Sequence, residues 1–190
     1  MLDIASPRFD RLAFQPTLPA APNRARPVLQ LEDLSVRGHC FSLSLREGEI
    51  ALVEGGSRAE RLRLLGIAAG LSHGGPGRCR LQGQDSQQGS PEQRRALRQQ
   101  VVGRLLSVDT LPDGVSLRGA VSLPLLMAGQ PPHQAFDRAN ALLVALGVGD
   151  VANRRNEGLS RRERRLGLLA RALANSPPLL VLEDVDEALT

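Results

Sequence analysis

Lysine is absent from this chain, and all 24 of its basic residues are arginine. Any site that sets a compact ammonium against a phosphate is therefore excluded. Tryptophan and tyrosine are also absent, and four Phe make up the 2% aromatic share. A core must then be built from Leu, Val and Ala, and platforms for stacking nucleic-acid bases are lacking. Cysteine is confined to Cys40 and Cys79, and histidine to His39, His73 and His133. None stands at metal-ligand spacing, which argues against zinc or a disulfide framework. If His39 and Cys40 lie on a strand, they face opposite ways. The first residues carry acids and prolines in place of the apolar stretch of a secretory signal. The uncharged stretch Gly119 to Ala135 contains three prolines and too few consecutive apolar residues to span a bilayer. These absences predict a soluble, cytoplasmic protein.

What is present suits one domain with a tail: 190 residues, 42% of them apolar. The net charge of +4 fits either an anionic partner or a solvated surface. Residues 1–27 are rich in Pro, Arg and Ala with no sustained period and read as a flexible extension. From Val28 the pattern tightens. Val28–Leu31 and Phe41–Leu45 alternate like half-buried strands, with a turn at Arg46–Glu49. Ile50–Val53 is a continuous apolar run, expected of a strand buried on both faces. A helix is predicted from about Ala59 to Ala69, then a turn at His73–Gly77 and a short strand at Cys79–Leu81. Ser90, Pro91 and Gln93 supply the N-cap, N1 and N3 of a second helix. Val101–Leu106 reads as a strand, and Leu117–Met127 as a helix bent near Pro124. Pro132 opens a helix with its apolar stripe at Phe136, Ala139, Leu143 and Leu146. Ser160 opens the last helix, whose stripe is Leu166, Leu169, Ala170 and Leu173. The apolar strand Leu179–Leu182 then ends in Glu183 and Asp184. Buried strands alternating with amphipathic helices predict an α/β fold with a mostly parallel sheet and a small antiparallel part.

The run Val53-Glu54-Gly55-Gly56-Ser57-Arg58-Ala59-Glu60-Arg61-Leu62-Arg63 has the frame of a phosphate-binding loop, between an apolar run and a helical pattern. In such a loop a lysine reaches the β/γ-phosphates and a Ser or Thr hydroxyl binds magnesium; Arg61 and Leu62 take those places. Glu60 puts a side chain and a negative charge where glycine lets the main chain approach an anion. The Glu60 carboxylate is therefore expected to occupy the anion position at the helix N-terminus itself.

Three segments of the second half carry a family resemblance: Ala141–Asn153 (ALLVALGVGDVAN), Leu159–Leu173 (LSRRERRLGLLARAL) and ANSPPLLVLED, which ends at Asp184. With VSLPLLMAG at Val121–Gly129, they resemble the ATP-binding subunits of ABC transporters, in the lipoprotein-release and macrolide-export branch. The resemblance covers about residues 28–190. It implies a P-loop NTPase-like ATPase domain with a helical subdomain at about 108–160, truncated at its C-terminus. It implies ATP and Mg2+ as cofactors, and a membrane permease and a homodimeric or heterodimeric ABC ATPase as partners, with the chain held at the cytoplasmic face of the inner membrane. The nucleotide site falls on Gly55, Gly56, Ser57, Arg58, Ala59, Glu60, Arg61, Leu62, Arg63 and Ser160. Glu183 falls at the metal position and Asp184 at the catalytic one.

The departures from the family pattern cluster on those positions. The two signature glycines match Arg161 and Arg162, and the glutamine after the middle strand matches Ser107. The terminal Asp-Glu is reversed to Glu183-Asp184, and no aromatic for adenine stands in Leu34–His39. The chain stops at Thr190, before the family's switch histidine. Glu183-Asp184 also reads as a plain acidic strand end, and Ser160-x-x-Glu163 as a capping box. The implied function is a weak or non-hydrolysing pseudo-ATPase subunit. The alternatives are an active ATPase with atypical motifs, a decaying gene product that still folds, or a basic protein binding nucleic acid through arginines 94, 95, 98, 154, 155, 161, 162, 164 and 165. Without stacking aromatics, such binding is non-specific and salt-dependent.

Overall fold

The computed structural model describes residues 26–36, 39–72 and 76–184, less the side chains of Val36 and His39. Most of the expected N-terminal extension, the start of the turn at His73 and residues 185–190 lie outside the described residues. The chain divides into two compact units, one ending at Arg98 and one beginning at Gln99.

The first unit holds an antiparallel sheet in the order β2-β1-β3-β4: β1 (Leu29–Val36), β2 (His39–Leu45), β3 (Arg78–Leu81) and β4 (Gln84–Asp85). Alternation in the sequence sets the inward faces: Leu29, Leu31 and Leu81 are buried while Gln30 and Arg80 are half-buried. The β1–β2 register shifts between Leu31 and Leu34, where Asp33 turns with φ 46°. Helix α1 (Arg58–Ala68) buries Leu64 and Ile67, and the Cys79 thiol donates to the Ile67 carbonyl at 3.2 Å. Burial pushes the Cys79 thiol pKa up, so it stays a neutral core group. Helix α2 (Pro91–Val101) opens as its sequence predicts. The Ser90 N–H donates to Gln93 Oε1 at 2.8 Å, and the Gln93 N–H to Ser90 Oγ at 3.3 Å.

The expected strand at Ile50–Val53 is not formed. No ladder joins it to another strand among the described residues, and Ile50 and Leu52 are 71% and 58% exposed. A continuous apolar run specifies a preference for burial, but a strand also needs a ladder partner, and none of β1–β4 pairs with it.

The second unit carries the parallel component, β5 (Val102–Leu105) beside β6 (Leu179–Leu182), with Val102 opposite Leu179. α2 runs into β5 without a loop, so Val101, expected in the strand, is the last helical residue. The helices are α3 (Leu117–Met127), α4 (Pro132–Ala145) and α5 (Arg161–Leu173). α3 continues through Pro124. The buried line of α4 is Ala135, Ala139 and Leu143; Ala139 and Leu143 belong to the expected stripe, while its outer members Phe136 and Leu146 are half-buried. The core joins Leu105, Leu117, Val121, Leu143, Val151, Leu159, Leu166 and Ala170. Of the stripe expected on α5, Leu166 and Ala170 are buried and Leu169 and Leu173 half-buried, while Arg165, Gly167, Leu168 and Ala172 are buried as well. At Gly167 an added Cβ would land on the Leu117 side chain, so α3 meets α5 there only because the residue has none. The fold is therefore mixed α/β, with antiparallel and parallel sheet regions and a helical part. Among the described residues the parallel region is the β5–β6 pair and the antiparallel sheet is the larger.

Candidate functional site

In the first unit the loop before α1 is built on Gly55 and Gly56, whose φ values of 79° and 60° favour glycine. Ser57 is the N-cap of α1, which makes Arg58 its first residue and Arg61 its fourth. The Ser57 N–H donates to Glu60 Oε2 at 2.7 Å and the Ser57 hydroxyl to the same oxygen at 3.0 Å. The Glu60 N–H in turn donates to Ser57 Oγ at 3.3 Å. The anionic group at this helix N-terminus is thus the Glu60 carboxylate, in a reciprocal capping box. The Arg61 guanidinium folds back and donates to the carbonyls of Gly55 at 3.1 Å and Gly56 at 3.0 Å. Leu62 and Arg63 follow on the helix and carry no side-chain oxygen; Ala59 adds only a methyl group.

In the second unit a group of polar residues gathers at the carboxyl ends of β5 and β6. Glu183 is 8% exposed, and its carboxylate accepts the Ser107 N–H at 2.8 Å. Its own N–H donates to the Leu105 carbonyl at 2.8 Å, which extends the parallel ladder by one bond. Asp184 is exposed and turns with φ 51°, a conformation that aspartate tolerates better than most residues. Arg165 reaches both loops from α5, donating to the Leu106 carbonyl at 3.2 Å and to the carbonyls of Glu183 and Asp184. Close by, Asp109 accepts the Leu106 N–H at 2.9 Å and pairs with Arg104 at 3.1 Å.

The N-terminus of α5 is closed by Ser160 and Glu163. The Ser160 N–H donates to Glu163 Oε2 at 2.6 Å, and the Glu163 N–H to Ser160 Oγ at 3.2 Å. The backbone bond from Ser160, then its hydroxyl, holds the Glu163 carboxyl below the ordinary range. Arg161, Arg162 and Arg164 are exposed, with Arg154 and Arg155 in the preceding segment. Of the nine arginines suggested for nucleic acid, Arg165 is buried, and Arg94 and Arg98 donate to the Gln87 and Gly70 carbonyls. They are therefore not one solvated basic face.

Within the loop, the structure joins Gly55, Gly56, Ser57, Glu60 and Arg61. In the second unit it joins Ser107, Glu183 and Asp184, while Ser160 serves its own helix. Two features were missed from the sequence. Ser57-x-x-Glu60 carries the same capping signature as Ser160-x-x-Glu163, but the phosphate-loop frame obscured it. Arg165 had no local signal, because it sits in an arginine-rich stretch and only packing singles it out.

The comparisons with known proteins agree on the family. The chain is 32% identical over 148 residues to the macrolide export ATP-binding/permease protein MacB of Rhodospirillum rubrum, covering 78% of this chain and 23% of that protein. It is 31% identical over 163 residues to the lipoprotein-releasing system ATP-binding protein LolD of Aquifex aeolicus, covering 83% and 73%. The chain thus spans about a quarter of the length of the macrolide-export relatives it matches. Its fold is similar to that of MJ0796, a bacterial ABC transporter cassette solved as a dimer (TM-score 0.69, 18% identity, 85% of this chain and 76% of that one). It is also similar to cbiO1 from Clostridium perfringens, part of the transporter complex cbiONQ (TM-score 0.67, 18% identity, 83% and 65%). The family model for ABC transporters matches residues 39–190, and the chain belongs to that family as a homologue of its ATP-binding subunits.

Proposed function

We propose that this chain is an ATP-binding-subunit homologue that has lost productive ATP turnover. It serves as the inert half of a pair with a competent ATPase, on a membrane permease at the cytoplasmic face of the inner membrane. The observation that carries the reading is the Glu60 carboxylate bonded to the Ser57 N–H and hydroxyl. A phosphate loop acts by aiming main-chain N–H groups and the helix field at an anion. Here the chain supplies its own anion, which repels a second one. Arg61 turns onto the Gly55 and Gly56 carbonyls, and Leu62 offers magnesium no oxygen. ATP and Mg2+, which the family implies, do not fit these residues. A charge-assisted hydrogen bond contributes about 1.5–3 kcal/mol. Losing two therefore weakens binding by about a hundredfold to ten-thousandfold.

The partner half of the proposal rests on the relatives, one named as an ATP-binding protein of a releasing system and one joining ATP-binding and permease in a single name. The location follows from the same partnership; among the described residues no helix is long and apolar enough to cross a membrane. Residues 28–190 are read as one ATPase-like domain, in which α3, α4 and their flanking turns form a helical subdomain at about 108–160. Glu183 and Asp184 are an acidic strand end without catalytic duty, and Ser160 is a helix cap.

Equilibrium ATP binding to the purified chain, with and without Mg2+, tests the proposal. Binding should be no tighter than about 1 mM. Micromolar Mg2+-dependent binding, with hydrolysis abolished by Asp184→Asn, would establish the working ATPase instead. Glu60→Gly checks the carrying observation: it should lower the thermal midpoint and improve ATP binding. Unchanged stability with binding still absent would remove it.

A further inference from the structure

Arg165 lies just past the first turn of α5 and is 8% exposed, yet it belongs to none of the roles described above. Its guanidinium donates to three main-chain oxygens: Leu106, one residue beyond β5, and Glu183 and Asp184, directly beyond β6. The Glu183 carboxylate accepts the N–H of Ser107, the residue after Leu106. Arg165 Nε is buried with no acceptor among the described residues. The acceptors converge at the carboxyl ends of two parallel strands, the end at which open α/β sheets hold ligands. Carbonyl oxygens with a neighbouring carboxylate are the donor set of a hard divalent cation. In this chain the three carbonyl oxygens accept from a guanidinium, whose charge is permanent.

We infer that Arg165 is a resident cation. Its guanidinium fills the oxygen cage formed by Leu106, Glu183 and Asp184, and it keeps divalent metal from that strand end. The two loops are thereby clamped without a metal, and any metal near Glu183 meets a fixed positive charge. The inference deepens the proposed loss of turnover and rests on it for its functional meaning. Its geometry lies wholly within the second unit and does not depend on the phosphate loop.

The experiment uses the full chain without nucleotide and Mn2+ as the probe, with electron paramagnetic resonance reading bound metal and thermal unfolding reading stability. Wild type should hold no Mn2+ tighter than about 1 mM. Its midpoint should be the same in EDTA and in millimolar Mg2+. Arg165→Gln should unfold several degrees lower in EDTA and regain part of the loss in Mn2+, a rescue that a merely structural arginine would not produce. Glu183→Gln in the same chain should remove the rescue. Arg165→Lys keeps the charge and should still exclude Mn2+, which guards against failure of the glutamine variant to fold. Tight Mn2+ binding by wild type that Glu183→Gln abolishes would overturn the inference. So would an Arg165→Gln chain as stable as wild type, or one destabilised without rescue. Micromolar ATP binding together with Mn2+ exclusion and rescue would instead sink the proposed function and leave the resident cation standing.

Discussion

The serine that opens α1 shows how one residue decides between two readings of a loop. Ser57-x-x-Glu60 within a glycine-rich stretch fits a damaged phosphate site and an ordinary helix start, and the hydrogen bonds form the capping box of the second. Ser57→Ala removes the acceptor of the Glu60 N–H and should lower unfolding free energy by about 1 kcal/mol in urea titrations. Gly103, inside β5, is a second decisive position. A Cβ there would strike the Ala172 carbonyl and come within 2.6 Å of Pro177 Cγ and 2.8 Å of Leu180 Cδ2. Gly103→Ala should therefore destabilise by about 1–3 kcal/mol, because strand and helix must part to admit one methyl group. Glu60 at the anion position was legible from charge and helix field alone. Arg165 was not, since nothing local distinguishes it from Arg164, which is exposed one residue earlier.

At the scale of elements, caps and periodicity were read more reliably than pairing. The starts of α2 and α5 follow from Ser90-Pro91-x-Gln93 and Ser160-x-x-Glu163, because a cap is satisfied within four residues. The α5 cap gives a pH prediction. The Glu163 carboxyl is held below its ordinary pKa in the fold, so its stabilising effect is complete above the unfolded value of about 4.3. It is lost as pH falls from there through the lowered value. Glu163→Gln removes the titrating group and should flatten that part of the acid-unfolding profile while leaving the profile above pH 6 parallel to wild type. In α4 the buried line Ala135–Ala139–Leu143 makes Leu143, which is fully buried, the residue that anchors the helix in its core. Leu143→Ala should cost about 2–5 kcal/mol, measured by chemical denaturation. Periodicity placed Ala139 and Leu143 in that line correctly, and only its edges differ: Ala135 is buried where Phe136 and Leu146, half-buried, were expected.

For the molecule as a whole, ligand linkage discriminates between a weak and a working nucleotide site. At 5 mM Mg2+·ATP, a site of about 1 mM affinity stabilises by about 1 kcal/mol and a micromolar site by about 5 kcal/mol. The full chain should show the smaller shift, or none, in thermal unfolding. The α/β class and the order of most elements were determined by the sequence alone. Both rest on periodicity along the chain, which needs no partner. Tertiary structure alone decided that Ile50–Val53 stays out of a ladder among the described residues, that Glu183 turns to the Ser107 N–H, and that one arginine of a basic run is buried against three carbonyls. Pairing and burial are relations between segments far apart in sequence, and a run of residues carries a preference for burial without naming what will cover it.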